Sequence, residues 1–355
     1  MATMIIEGER TKAVSGKTYE VRNPATGEVV DVVPAGGPAD VDKAAQAAAK
    51  AFTTWSKLAP AKRAEILHKA AHHMLGKVEE IAPILTKEQG KTLLESRLEA
   101  QRFGENIAWF ADLADKVHGQ HVVLPDTTTY GLVIRMPIGV CGAIVPWNFP
   151  LTLAANKIAP AIAAGNTVVL KPASTTPLST LACIEALIEG GLPEGVVNVV
   201  LGTATGEAMV DHPLIRKIAL TGSTPTGKKV MARAAEGLKK ITLELGGSDP
   251  CIVLDDADLE AAVKGISIGR YFNCGQACLA VKRLYVQDGV YDALLEKLLA
   301  RVAKLKPGNG LDKDNRMGPM HSETQRAEVE AQIQDAVRRG AKVLLGGGRP
   351  EGEPY

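Results

Sequence analysis

The stretch VCGAIVPWNFPLTLAANKIAPAIAAGNTVVLK runs from Val140 to Lys171. Its first six residues form a short apolar run, as a buried strand does. After the interruption Pro146–Pro150, apolar residues continue through a helical stretch, 150–164, and 167–171 returns to a strand pattern. Strand, helix, strand is the repeating unit of a parallel sheet. The same alternation continues with helix 177–190, strand 196–200, helix 204–211, strand 215–220, helix 224–236 and strand 239–244. The chain is therefore expected to belong to the α/β class, with a parallel sheet at its centre.

Working outward, residues 18–33 read as short strands around the turn Asn23–Gly27, and Asp40 is placed to cap a helix that runs to about Lys57. Helical patterns cover 61–76, 77–88 and 93–117, and Val122, Val123, Tyr130, Leu132 and Ile134 mark a hairpin within 121–138. A second αβ series starts at Cys251–Leu254, with Asp256 as a helix cap, a helix to about Arg270, a strand through Leu284–Val286 and a helix at 289–305. Ala341–Leu345 reads as a further strand ahead of Gly346–Gly348, and Gly246–Ser248 is the expected boundary between the two series.

The composition narrows the function. The 355 residues carry 41 basic and 40 acidic side chains, so the net charge of +1 supplies no field for nucleic acid or an anionic membrane. With aromatics at only 4%, a base-stacking surface is not expected either. Five scattered cysteines suit a reducing, cytoplasmic setting better than a disulfide framework. No secretory leader or membrane span is read. His68, His72 and His73 lack the Glu of an H-E-x-x-H site, so no metal is expected.

In an open parallel sheet, ligands bind beyond the carboxyl ends of the strands. Those ends are followed here by Pro146–Pro150, by Lys171–Ser174, by Thr221–Thr224 and by Leu245–Gly247. Polar, cationic and glycine-bearing segments thus gather on one edge, as a dinucleotide requires. A second cluster, FNCGQACLA at Phe272–Ala280, ends a glycine-containing turn on Cys278, 34 residues after Glu244 in LELGG. A thiol and a carboxylate are the parts of a nucleophile and base pair. Taken singly, Cys278 reads as a small buried hydrophobe, Glu244 as a strand-end carboxylate, Lys171 as a surface cation and Asn148 as a turn residue.

In order along the chain, P-W-N-F-P, L-E-L-G-G and N-x-G-Q-x-C resemble the signatures of the aldehyde dehydrogenase superfamily, from about residue 15 onward. The resemblance implies a Rossmann-like NAD(P)-binding domain at 1–118 and 138–246, a bridging or oligomerisation hairpin at 119–137, and an incomplete αβ catalytic domain at 247–355. It implies Cys278 as nucleophile, Glu244 as general base and the Asn148 amide as oxyanion donor. Trp147, Lys171, Ala173, Ser174, Gly202, Gly206, Gly222, Ser223 and Leu245 fall where the family binds its cofactor, with Leu220 in place of the usual Phe. Phe149, Leu153, Asn156, Ala277 and Leu279 fall around the aldehyde. The implied reaction oxidises an aldehyde to a carboxylic acid through a thiohemiacetal and a thioester, in a homo-oligomer (dimer or tetramer).

Three details refine the expectation. Ser174 stands where many NAD-preferring members carry Glu, so NADP is expected to be tolerated beside NAD. Retention of Glu244 favours hydrolysis over acyl transfer to coenzyme A. Members acting on succinate semialdehyde often carry Arg eight residues after the oxyanion Asn; Asn156 stands there, which favours small aliphatic or hydroxylated aldehydes. Members also extend further and carry an E-x-F-G-P motif after the cysteine, absent here, so a catalytically weak fragment is an alternative. Another is a P-loop nucleotide-binding protein, because Gly222–Lys229 nearly fits G-x-x-x-x-G-K-[ST]; Lys229 stands where a hydroxyl is required.

Overall fold

The structure is a computed structural model that describes residues 2–126 and 128–349. Met1, Thr127 and residues 350–355, which the domain limits above include, lie outside the described residues. The elements are β1 (Met4–Ile6), β2 (Glu9–Thr11), β3 (Thr18–Arg22), β4 (Val29–Pro34), α1 (Pro38–Trp55), α2 (Pro60–Leu75), α3 (Val78–Gln89), α4 (Leu93–Asp112), β5 (Gln120–Val122), β6 (Gly131–Val133), β7 (Val140–Ile144), α5 (Pro150–Ala163), β8 (Thr167–Lys171), α6 (Leu178–Glu189), β9 (Val197–Val199), α7 (Thr205–Asp211), β10 (Ile215–Thr221), α8 (Thr224–Glu236), β11 (Lys240–Glu244), β12 (Asp249–Val253), α9 (Leu259–Tyr271), β13 (Val281–Val286), α10 (Asp288–Val302) and α11 (Glu323–Arg338). The α/β class and the parallel sheet read from the sequence are both present.

The chain divides into two compact units. The first holds the N-terminal residues through Glu20, then Asp31–Ile81 and Glu99–Glu244. Its seven-stranded sheet has the order β11-β10-β7-β8-β9-β1-β2. The pairings from β11 to β9 are parallel, whereas β1 joins β9 antiparallel. The order reverses between β7 and β10, and such a switch point opens a crevice at the carboxyl ends of the strands. The loops bearing Trp147–Phe149 and Gly222–Ser223 leave the sheet there. All five residues of β8 are buried, the continuous apolar run of a sheet covered on both faces. Trp55 Nε1 donates to Ile162 O at 3.0 Å and Arg63 Nε to Ala163 O at 3.0 Å, tying α1 and the N-terminal turn of α2 to the end of α5.

The second unit holds Val21–Val30, Ala82–Leu98 and the chain from Leu245 onward. Here α9 connects the parallel strands β12 and β13. Val253, Val263, Ile266 and Leu294 form its small apolar core. Alongside lies a buried polar segment: Glu88, Gln89, Lys91, Thr92, Glu95 and Ser96 are all at most 8% exposed. Gly318 passes so close that a Cβ on it would stand 2.1 Å from Gly90 O.

Several sequence expectations need correction. Asp40 is the third residue of α1, not its cap. Pro38 takes the first helical position, and Asp40 reaches back to accept from Gly37 N at 2.9 Å and from Val14 N at 3.0 Å. The cap of α9 is Asp258, which accepts from Glu260 N and Ala261 N at 3.0 and 3.1 Å; Asp256 lies too far upstream to reach those amides. Helix α4 ends at Asp112, five residues before the expected end, and the chain then turns. Ala341–Leu345 forms no strand: its apolar side chains find no neighbouring strand, and Val343, Leu344 and Leu345 are about half exposed. Helix α11 and strands β1 and β2 lie outside the elements read from the sequence.

Candidate active site

In the first unit, β7 delivers Pro146–Phe149 to the carboxyl edge, and Trp147, Asn148 and Phe149 are all half-buried. Helix α5 begins immediately after, with Pro150 at its first position. Glu99 Oε1 accepts from Leu151 N at 2.9 Å and Thr152 N at 3.1 Å, satisfying two amides that a helix start leaves without intrahelical partners. Leu153 is half-buried on α5. Asn156 is exposed, and its Oδ1 accepts from the Asn106 amide at 2.9 Å. One residue on, Lys157 Nζ donates to Thr221 Oγ1 at 2.5 Å. Burial pushes the Lys157 ammonium down to about 8, against the attraction of Glu244.

Glu244 ends β11 with its side chain exposed, and its register partner on β10 is Thr221. Its carbonyl accepts from Gly222 N at 3.0 Å, which bends the chain off β10 into α8. Ser223 caps α8, accepting from Thr226 N at 3.4 Å. This removes the P-loop reading. Thr224 to Glu236 is helix, so Gly227 and Lys228 are wound into α8 and cannot wrap a triphosphate.

A cleft of about 790 Å³ lies along the same unit, lined in part by Ile144, Lys171, Gly206, Leu220, Thr226 and Arg233. Lys171 ends β8 and its Nζ donates to Pro172 O at 3.3 Å. Burial alone pushes its ammonium down to about 8. A ligand offering hydroxyls or phosphate oxygens would restore the solvation that this ammonium has lost. Gly206 leaves room beside it: a Cβ there would touch Lys171 Cδ and Cε at 3.5 Å. Ala173 and Ser174 follow Lys171 and are half-buried. The start of α8 lies on the same unit, and its dipole favours an anion there. The residues present thus fit a dinucleotide. Gly202 also has a structural duty, because at φ 103° a Cβ would stand 2.8 Å from Gly36 O.

In the second unit, Leu245 is half-buried just after β11, and the other sequence-predicted residues follow α9. After Tyr271 the chain makes a tight 3₁₀ turn, Phe272–Gly275. Within it Asn273, Cys274 and Gly275 have φ of 52°, 56° and 73°. For the two residues that carry side chains, this backbone costs roughly 1–3 kcal/mol each, so the surroundings must hold it. Four polar contacts do so. Asn273 N donates to Glu95 Oε1 at 2.7 Å, and Gln276 N donates back to Asn273 O at 3.0 Å. Gln276 Nε2 also donates to Asn273 O at 3.0 Å, and Gln276 Oε1 accepts from His321 N at 2.8 Å. His321 Nδ1 lies 3.0 Å from Gln89 O, which requires the proton on that nitrogen; burial pushes its imidazole down to about 4. Neither Glu95 nor His321 was anticipated from the sequence, where a lone Glu or His reads as surface.

Beyond this turn, Ala277 is half-buried while Cys278 and Leu279 are exposed. Lys282 Nζ donates to Cys278 O at 2.9 Å and to Ala277 O at 3.0 Å. Cys274 differs: burial, with Glu95 adding to it, pushes its thiol up to about 11. The three helix-surface histidines lie in α2, where His68 meets Asp112 at 2.9 Å and His73 meets Glu189 at 3.2 Å. Among the described residues no three His, Cys, Asp or Glu side chains group as a metal site, and no helix is long and apolar enough to cross a membrane.

The profile of the aldehyde dehydrogenase family matches residues 11–355. The chain is 45% identical over 349 residues to a glutarate-semialdehyde dehydrogenase of Pseudomonas putida, covering 98% of this chain and 73% of that protein. It is 43% identical over 345 residues to the NADP(+) succinate-semialdehyde dehydrogenase of Escherichia coli, covering 97% and 72%. The crystal structure of succinate-semialdehyde dehydrogenase from Burkholderia pseudomallei superimposes with a TM-score of 0.97 at 41% identity, over 100% of this chain and 74% of that one. With a match of this extent, the chain belongs to the aldehyde dehydrogenase family.

Proposed function

We propose that the protein oxidises a small aldehyde to its carboxylic acid with NADP or NAD, using Cys278 as nucleophile. The observation that carries this reading is the contrast between two cysteines four residues apart. Cys278 is exposed beyond a strained, well-anchored turn, whereas Cys274 is half-buried within it, with its thiol pushed up to about 11 by lost solvation. The thiolate is the reactive form, so a thiol held that high is inert at neutral pH.

In the proposed reaction the Cys278 sulfur adds to the aldehyde carbon and forms a thiohemiacetal. The Asn148 amide and the Cys278 N–H donate to the developing oxyanion; one such donor is typically worth ~10²–10³ in rate. The cofactor, when bound, supplies the two-electron oxidant by accepting a hydride. The resulting Cys278 thioester is hydrolysed by water, with Glu244 taking the proton. Lys171 would hold the adenosine ribose, with Ser174 admitting a 2′-phosphate that a carboxylate would repel. Trp147, Ala173, Gly202, Gly206, Gly222, Ser223 and Leu245 would border the same dinucleotide.

For the substrate, Phe149, Leu153, Asn156, Ala277 and Leu279 supply apolar surface and one neutral amide. Asn156 is hydrogen-bonded to a second neutral amide, Asn106, which favours an aldehyde with an uncharged, hydroxylated or aliphatic tail over one with a distal carboxylate. The semialdehyde names of two similar proteins favour the second reading, a carboxylate-bearing aldehyde. A turnover panel of glycolaldehyde, propanal and succinate semialdehyde with both cofactors separates the two. The reaction itself is tested by Cys278→Ala, which is expected to abolish aldehyde-dependent NAD(P)H formation while Cys274→Ala stays within about twofold of wild type. Undiminished turnover in Cys278→Ala overturns the reading.

A further inference from the structure

Helix α4 opens with Thr92-Leu93-Leu94-Glu95, the spacing of a capping box. Glu95 completes that box with one oxygen only: Oε2 accepts from Thr92 N at 2.9 Å and from Thr92 Oγ1 at 2.8 Å. A helix start needs nothing more from this side chain. The other oxygen, Oε1, leaves the helix and accepts from Asn273 N at 2.7 Å, 178 residues away. Asn273 is 1% exposed and is the first of the three left-handed residues that lead toward Cys278. An amide there has lost water, so a carboxylate is a strong replacement partner. The grip also fixes the sense of the turn. With Asn273 N held by Glu95, and Asn273 O held by both Gln276 N and Gln276 Nε2, the peptide planes on either side of Asn273 have few alternatives.

We propose that Glu95 is a positioning residue for the Cys278 nucleophile, its Oε1–Asn273 N–H contact locking the left-handed turn that sets where the chain arrives at residue 278. Gln276, itself held by His321 N, is the second anchor of the same turn. The inference rests on Cys278 being the nucleophile. Without the Glu95 grip, Asn273 and Cys274 are free to leave the left-handed region, and the Cys278 sulfur loses its fixed placement while remaining exposed. Misplacement of about 1 Å caused by a change far from the chemistry can cost ~10²-fold in rate.

The test separates placement from reactivity, and it needs no nicotinamide. In 4-nitrophenyl acetate, attack by the Cys278 sulfur forms the S–C bond and breaks the ester C–O bond. Nitrophenolate leaves, and water then frees acetate and the thiol. That acylation depends on geometry, whereas alkylation of Cys278 by iodoacetamide, followed by peptide mass spectrometry, reports only an accessible thiol. Glu95→Ala is expected to slow acylation about 10- to 100-fold and leave alkylation within about threefold of wild type. Glu95→Gln keeps one oxygen for Asn273 N while its NH2 faces Thr92 N, so it is expected to lose helix-cap stability yet retain more acylation than Glu95→Ala, within about tenfold of wild type. Asp258→Ala removes the cap of α9 without touching the turn, and serves as a control for lost stability. Adding Asn273→Gly to Glu95→Ala is expected to recover part of the acylation rate, because glycine adopts the left-handed backbone freely. If Glu95→Ala does not fold, Glu95→Asp keeps the charge but is one methylene short of Asn273, and it is expected to lose about tenfold. Acylation equal to the Asp258→Ala control in the folded Glu95 variant overturns the inference. Acylation that persists in Cys278→Ala overturns instead the nucleophile assignment beneath it.

Discussion

Strands β8 and β12 each pair in parallel within their own unit, yet they are held in different ways. Each of the five residues of β8 is buried, and Val168, Val169 and Leu170 are fully enclosed. In β12 only Val253 is buried, Ile252 is 68% exposed, and the order of the unit comes as much from the polar cluster of Gln89, Glu95, Gln276 and His321 as from its four-residue apolar core. The difference teaches that an apolar sheet and a hydrogen-bonded turn are two routes to a fixed site. The first specifies a fold by burial. The second specifies a backbone by pairing its buried amides, Asn273 N and His321 N, with side-chain acceptors, and it fails abruptly when one partner is lost.

The largest expected effect tests the apolar side of this contrast. Leu170→Ala empties a fully buried site and is expected to lower stability by about 2–5 kcal/mol, whereas Ile252→Ala removes a largely solvated side chain and is expected to cost under about 0.5 kcal/mol. Urea denaturation of both variants checks this; equal losses would break the comparison.

The polar side is expected to respond to pH. His321 is held neutral with a pKa of about 4, against 6.5 when unfolded. As pH falls, the unfolded chain takes the proton first, so this contribution is intact above about pH 6.5 and is lost progressively down to about pH 4. The difference corresponds to roughly 3 kcal/mol at most. Stability measured across this range should fall with acid in wild type and fall less in His321→Asn. The same slope in both would remove His321 from the account.

A smaller effect concerns the cleft of the first unit. Lys171 carries its proton below about pH 8 and loses it above. NADP binding is expected to weaken relative to NAD by about tenfold as pH rises through that range, the size of one charge-assisted contact. Calorimetric titrations with both cofactors at pH 7 and pH 9 measure it. A constant ratio would take Lys171 away from the 2′-phosphate.

The same contrast explains what the sequence could disclose. The strands and helices from 140 to 244 were legible because burial on both faces leaves continuous apolar runs separated by helical periods. Helix α11 is absent from that reading although Val329, Ile333, Ala336 and Val337 recur in it at helical spacing; none of its sixteen residues is buried, so the stripe meets no core. Ala341–Leu345 has the composition of a strand, but a strand also needs a neighbour to pair with, which composition does not reveal. The motifs named Cys278, Glu244 and Asn148 as candidates. Glu95 and His321 carry no local sign of burial, because their partners lie far away in sequence, at Asn273 and Gln89.

The central claim is that an acyl group passes through the Cys278 sulfur and is released with help from Glu244. In Glu244→Gln, incubated with aldehyde and NADP and quenched in acid, the account predicts a thioester that accumulates on the peptide containing Cys278, located by mass spectrometry, with its release slowed by ~10²–10⁴. An acyl group found on Cys274, or wild-type turnover with no acylated cysteine, would contradict it.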